Sequence, residues 1–232
     1  MIRRWIPKFD PAALPRTLGA TILYFFRRSK PQVLGSAAIL ALTMRVAWGA
    51  WSVWDAVIVL ALLAWWPIQE WLIHVYILHW KPRTVLGRKI DFYVSSKHRR
   101  HHRNPLDLKN IFIPWPNLVG GIVFHLVFWP LVLPAPLALT TIAAYLLLTV
   151  HYEWVHFICH TPYVPAGGRY KRLWLHHRLH HFRNEHYWMG VSMTAGDALL
   201  GTAPEKDAVP LSPTCRTLGV EDGYGAGAPA AA

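Results

Sequence analysis

Apolar residues fall into long runs, and polar residues collect between them. The first run extends from about Val33 to Trp48 and is broken by Arg45. The second extends from about Val53 to Trp66 and continues as an amphipathic stretch to Trp80. The third covers about Leu118 to Leu133. The fourth covers about Leu137 to Val150 and continues to Cys159. A helix needs roughly 20 mostly apolar residues to cross a bilayer. The second and fourth runs meet that length with their extensions, while the first and third are shorter. A soluble fold of 232 residues could not shield four such helices from water. The pattern therefore predicts an all-α integral membrane protein with about four transmembrane helices.

Basic residues give these spans a direction. Segment 1–32 has seven Lys/Arg and one acid, 81–110 has nine and two, and 161–232 has seven and six. The connections near 49–55 and 134–136 contain no Lys or Arg. Four spans put the three basic segments on one side, and positive charge marks the cytoplasmic side. Two re-entrant hairpins satisfy the same parity. The N-terminal basic residues are spread out, with no compact apolar core or cleavage site behind them, so no secretory signal is expected. The expected organisation is a basic cytoplasmic segment over 1–32, a membrane domain with a cytoplasmic helical cap over 33–203, and a flexible tail over 204–232.

Composition narrows the class further. Apolar residues make up 53% of the chain and charged residues 16%, against about 25% charged in soluble domains. Disorder and an ordinary soluble globule are both excluded. The net charge of +12 would suit nucleic acid, but the basic residues flank apolar runs and form no aromatic-interleaved stripe, so no nucleic-acid partner is expected. Many tryptophans, including Trp48, Trp51, Trp80, Trp115 and Trp154, stand near the ends of the runs, where indoles favour the headgroup level. Cys159 and Cys215 are too few for a disulfide framework or a cysteine-rich zinc module.

All fourteen histidines lie between His74 and His186. His74 and His79 close the second run. His98, His101 and His102 follow it. His156 and His160 close the fourth run, and His177, His180 and His181 follow that. Residues three or four apart share a helix face, so each trio points one way and His156 pairs with His160. His74 and His79, five apart, lie about 140° apart around an ideal helix. They can share a site only where the helix ends or distorts. All four clusters fall on the cytoplasmic side. Ten protonated imidazoles in one place would repel one another, whereas neutral imidazoles binding metal would not. Ten ligands suit two ions of about five ligands each. Imidazole alone leaves iron, zinc, copper and nickel open. His151, His176 and His186 are candidate supporting residues, and His125 is read as an ordinary surface or satisfied core residue with no assigned role. The sequence has no HExxH, CxxC, GxSxG or glycine-rich phosphate loop.

These clusters resemble the fatty acid hydroxylase/sterol desaturase superfamily of membrane di-metal oxygenases. The family pattern is HxxxH or HxxxxH, HxxHH, HxxxH, HxxHH, and it is matched by His74/His79, His98/His101/His102, His156/His160 and His177/His180/His181. The resemblance spans about Trp71 to Lys206. It is most similar to the fatty acid 2-hydroxylase branch, through the nineteen-residue step from His79 to His98, the stretch His101–Asp107, Tyr152–His156, Met189–Ser192, Asp197 and Gly201–Lys206. The resemblance implies two iron ions, for which zinc can substitute in purified protein, with O2 as co-substrate. It implies insertion of one oxygen atom into an unactivated C–H bond of a fatty acyl chain, at carbon 2. Nearby carboxylates should orient the imidazoles and offset the metal charge; Asp107, Glu153, Glu185 and Asp197 are candidates, with Glu70 one turn before His74. No cytochrome b5-like segment is seen, so a separate electron donor (cytochrome b5-like, ferredoxin or similar) is expected. Sterol or isoprenoid oxidation or desaturation on the same centre is the alternative. A non-catalytic metal-binding or transport protein is disfavoured, because only Arg45 and His125 lie deep within the runs.

Overall fold

The computed structural model describes residues 14–220. Most of these residues are helical: α1 (Leu18–Phe26), α2 (Ser29–Trp48), α3 (Val53–Leu72), α4 (Tyr93–Arg103), α5 (Trp115–Val132), α6 (Ala135–Cys159), α7 (Gly168–Phe182) and α8 (Ala195–Leu200). A short antiparallel hairpin, β1 (Arg83–Val85) and β2 (Arg88–Ile90), precedes α4. Its two-residue turn, Leu86-Gly87, has positive φ at both positions, the geometry that suits the natural strand twist.

Helix α3 runs on without a break as a π-helical turn over Ile73–Leu78. The combined segment Val53–Leu78, together with α5 and α6, gives three helices long and apolar enough to cross a membrane. The third apolar run thus reaches spanning length as α5. The first run, α2, is 20 residues long but falls short in apolarity, since it carries Lys30, Gln32 and Arg45. Large apolar side chains nevertheless face outward on all four helices, for example Ile39 and Leu40 on α2, Leu60 on α3, Leu131 on α5 and Leu147 on α6. Such a surface is an aggregation liability in water and ordinary against lipid.

Helix α6 is the hub, packing against α2, α3, α5 and α7. Leu34, Ala38 and Ala41 of α2 and Leu118 of α5 fill its side with Ile142, Ala143 and Leu146. At one end of this bundle, Arg45 Nη2 lies 2.7 Å from Asp55 Oδ1, and Thr140 bonds the same carboxylate. The C-terminal end of α2 and the N-terminal ends of α3 and α6 are therefore tied together. Arg45 is buried, so its charge is met by a carboxylate instead of by lipid. Helices α3 and α6 run parallel from this cluster, and both carry their histidines at the opposite end. A cap of α4, α7 and α8 covers that end.

Residues 14–32, read from sequence as part of a basic arm, contain α1 and the first turn of α2; Arg3, Arg4 and Lys8 lie outside the described residues. The composition of 204–232 predicts a flexible tail. Over 204–220 it is packed: Val209, Cys215 and Leu218 are buried, and Arg183 Nε donates to Val209 O at 2.8 Å. Residues 221–232 lie outside the described residues.

Candidate metal centre

The ten clustered histidines converge as two groups of five. The first pentad is His74, His79, His98, His102 and His180; the second is His101, His156, His160, His177 and His181. Within each, one ligand atom per residue lies within 4.8 Å of all the others.

The local backbone explains this grouping. The π turn closes with His79 N donating to His74 O at 3.0 Å. An i→i+5 turn of this kind is rare and concentrates at functional sites. It brings residues five apart onto one side, so the two rings sit 4.8 Å apart. On α4, His98 and His102 form an i,i+4 pair in the first pentad, while His101 turns to the second. Helix α7 does the reverse: His177 and His181 join the second pentad and His180 the first. Each trio shares one face, as spacing predicts, but fans across both sites. Each pentad thus takes two histidines from a long helix's end, an i,i+4 pair from one cap helix and a single histidine from the other.

In the first pentad, His98 Nε2 lies 3.2 Å from His74 Nε2 and 3.1 Å from His102 Nε2, which is 3.3 Å from His180 Nε2. In the second, the Nε2 separations are 3.2 Å for His101–His181 and His101–His156, 2.9 Å for His160–His177 and 3.0 Å for His177–His181. The Nδ1 atoms of His74, His102 and His180 face the backbone carbonyls of Met189, Cys215 and Tyr187 at 2.6, 2.9 and 2.8 Å. A carbonyl can only accept, so these three Nδ1 atoms carry the hydrogen and their Nε2 atoms present lone pairs inward. Lone pairs facing at such distances repel unless a cation lies between them. At metal–nitrogen distances of about 2.1 Å, two ligands at right angles stand about 3 Å apart. The donor set therefore fits a metal ion in each pentad.

Burial, reinforced by neighbouring imidazoles, holds His79, His98, His101, His160, His177, His180 and His181 well below the ordinary histidine range. Burial likewise lowers His102 to about 3, against the opposing Cys215 carbonyl. The ligands are thus neutral, as metal binding requires.

No carboxylate among the described residues bonds any of the ten imidazoles. Carboxylates act one step further out, on the segments that supply the carbonyls. Asp197 accepts from Met189 N at 2.8 Å, Gly190 N at 2.6 Å, Thr202 Oγ1 at 2.5 Å and His176 Nε2 at 2.9 Å. Burial alone would raise its pKa, but these bonds, His176 foremost, hold it below the usual carboxylate value. Glu70 accepts from Val191 N, Ser192 N and Ser192 Oγ at 2.5, 2.7 and 2.8 Å. Asp197 and Glu70 together fix residues 189–192, and with them the carbonyl on His74. Glu185 bonds Thr214, beside the Cys215 carbonyl on His102. Glu153 accepts from Ile113 N at 2.7 Å and anchors the approach to α5. Asp107 caps a local turn through Lys109 N and Asn110 Nδ2. His151 faces Tyr170, and His186 is exposed beside Glu185. The structure brings none of Asp107, His151 and His186 to either pentad.

The carbonyls leave no mark in the sequence, because any residue supplies one. One local signal exists in the structure. Trp188, buried, has φ 57°, which is uncommon for a large residue. That turn aims the flanking carbonyls of Tyr187 and Met189 at His180 and His74, both in the first pentad. Asp197→Ala is expected to lower metal affinity about 10–100-fold without touching a ligand, measured by metal competition on the purified protein. Unchanged affinity would dissociate Asp197 from the site.

The fold and site define a class: a helical protein with long apolar helices capped by two clusters of five imidazoles, each of which could hold a metal ion. The fatty acid hydroxylase family model matches residues 59–202, and the chain belongs to that family. It is 31% identical over 159 residues to a fatty acid 2-hydroxylase of Rattus norvegicus, covering 68% of this chain and 42% of that protein. It is 25% identical over 146 residues to a dihydroceramide fatty acyl 2-hydroxylase of Arabidopsis thaliana, covering 62% of this chain and 59% of that protein. The chain thus spans less than two thirds of these relatives. A solved structure of full-length scs7p, with only the hydroxylase domain visible, shares the fold, with TM-score 0.57, 20% identity, and coverage of 85% of this chain and 70% of that one.

Proposed function

We propose that this chain is a membrane lipid hydroxylase that inserts one oxygen atom from O2 into an unactivated C–H bond of a fatty acyl chain, at carbon 2. The observation that carries this reading is the junction of the first pentad with a mostly apolar cavity. A cavity of about 340 Å³ is lined by Leu34, Trp66, Ile73, Ile77, Leu118 and Leu146, and His74 forms part of its wall. The names of the related 2-hydroxylases support the carbon position.

The ten histidines would hold two iron ions, and bound iron would supply O2 activation with two electrons from a separate donor protein. The protein's own part is placement and shielding. The carbonyls of Met189, Tyr187 and Cys215 keep the imidazole lone pairs turned inward. The cavity would take an acyl chain alongside His74. Nine of the ten imidazoles are buried, which keeps water from the reacting region.

Helix α2 would act as a fourth span. Its outward side is apolar and its one deep charge is neutralised by Asp55. The capped end, flanked by the basic segments 81–110 and 161–220, would face the cytoplasm. The membrane domain would cover about 33–203, preceded by a basic cytoplasmic segment.

The test is to express the full chain in membranes with iron and reductant, supply 18O2, and analyse acyl lipids by mass spectrometry. One labelled oxygen at carbon 2 is expected. Normal metal content with no lipid gaining oxygen would refute the reading.

A further inference from the structure

His125 is buried in α5 and faces the same cavity. Its ring centroid is 3.8 Å from that of Tyr145 on α6, another cavity residue. Gln69 of α3 completes the group.

The hydrogen-bond directions can be assigned. Trp65 Nε1, which can only donate, bonds Gln69 Oε1 at 2.9 Å. The amide orientation is therefore fixed, and Gln69 Nε2 donates to the Tyr145 hydroxyl oxygen. That leaves the hydroxyl hydrogen of Tyr145 to be donated elsewhere. Trp129 Nε1 likewise donates to His125 Nδ1 at 2.8 Å. His125 Nδ1 must then be bare, so its hydrogen is on Nε2. Among the described residues no acceptor meets the Tyr145 hydroxyl hydrogen or the His125 Nε2 hydrogen. Two donors on adjacent rings thus belong to one mostly apolar cavity wall between the apolar helices. A plain hydrocarbon chain packed against them would leave both unmet, at a cost of about 1–3 kcal/mol for each donor it covers. Polar side chains at such depth mark substrate contacts more often than packing.

We infer that the cavity selects a lipid chain bearing an oxygen acceptor, a carbonyl or hydroxyl oxygen, held between Tyr145 and His125. Gln69 precedes His74 by five residues, about 7–8 Å along the helix. The acceptor therefore sits several carbons from the carbon presented to the first pentad, and is distinct from the carboxyl carbonyl adjacent to carbon 2. This inference rests on the hydroxylase reading for the identity of the reacting end, and on the cavity alone for the binding preference.

The experiment measures equilibrium binding of two probes to the full-length, metal-loaded protein in lipid nanodiscs: a saturated fatty acid and its mid-chain keto analogue. The wild type is expected to bind the keto acid about tenfold more tightly, the gain from one or two added hydrogen bonds. Tyr145→Phe and His125→Phe should each reduce that preference several-fold, in part by tightening binding of the plain acid, which no longer leaves that donor unmet. His125→Gln, which retains a donor, should recover part of it. Equal affinities in the wild type, or a preference untouched in both Phe variants, would overturn the inference. Lipid oxygenation is scored in parallel. A keto preference without oxygenation would remove the hydroxylase reading and leave the selective cavity; oxygenation without preference would do the reverse.

Discussion

His180→Ala should remove about one metal ion per chain and leave the other in place, because His180 serves only the first pentad. His101→Ala should remove the ion of the second pentad instead. The double variant should bind almost none. Loss of an outer partner of a metal ligand already costs about 10–100-fold in affinity or activity, so loss of a ligand should lower lipid hydroxylation by more than about 100-fold in either variant. Neither substitution touches the apolar packing of α2, α5 and α6, so the helical content should persist. Metal analysis and circular dichroism on the same samples separate the two effects. If both single variants retain two metals, the division into pentads is wrong, whatever happens to activity.

Acid should destabilise the metal-free protein well above the pH at which carboxylates titrate. The eight histidines outside the apolar helices that belong to the pentads have folded pKa values below the ordinary value of about 6.5. Below that pH the unfolded chain takes up protons that the folded chain refuses, until the folded values are reached, near 3 for His102. Stability therefore rises with pH up to about 6.5 and levels off above it. Each proton held only by the unfolded state contributes about 1.4 kcal/mol per pH unit, so even two such groups give a steep acid limb. Asp197 has the opposite sign. Its folded pKa is depressed, so its contribution is present above about 3.9 and is lost only as the pH falls further. A fall in stability between pH 6.5 and 5 thus has the sign that the histidines give and lies above the range in which Asp197 acts. Thermal unfolding in detergent across that range tests this, and added metal should move the limb to lower pH, since protons and metal compete for the same nitrogens. A flat profile from pH 7 to 5 would contradict it.

Much of this arrangement is legible in the sequence. The apolar runs mark α2, α3, α5 and α6 to within a few residues, because a lipid-facing helix has apolar residues all round and leaves no ambiguity of period. The histidine spacing identifies the ligand candidates, because i,i+3 and i,i+4 neighbours must share a face. Three features are not legible, each for a physical reason. The partnership of His74 with His79 depends on a π turn, which spacing alone does not announce. The division of His98, His101 and His102 between two sites depends on how α4 crosses α7, a tertiary fact. The supports for the imidazoles are main-chain carbonyls, so Asp197, Glu70 and Glu185 act on backbone segments and not on the rings themselves. His125, read as an ordinary surface or core residue, lines the cavity, which spacing does not announce because its neighbours Tyr145 and Gln69 lie on other helices.

Ten histidines in two pentads are expected to hold two metal ions. Metal content of the purified full-length chain, by inductively coupled plasma mass spectrometry after expression with iron, tests it most directly. About two iron ions per folded chain, one for each pentad, are expected. A folded, monodisperse protein holding at most one transition-metal ion per chain, even after reconstitution with excess iron, would contradict it.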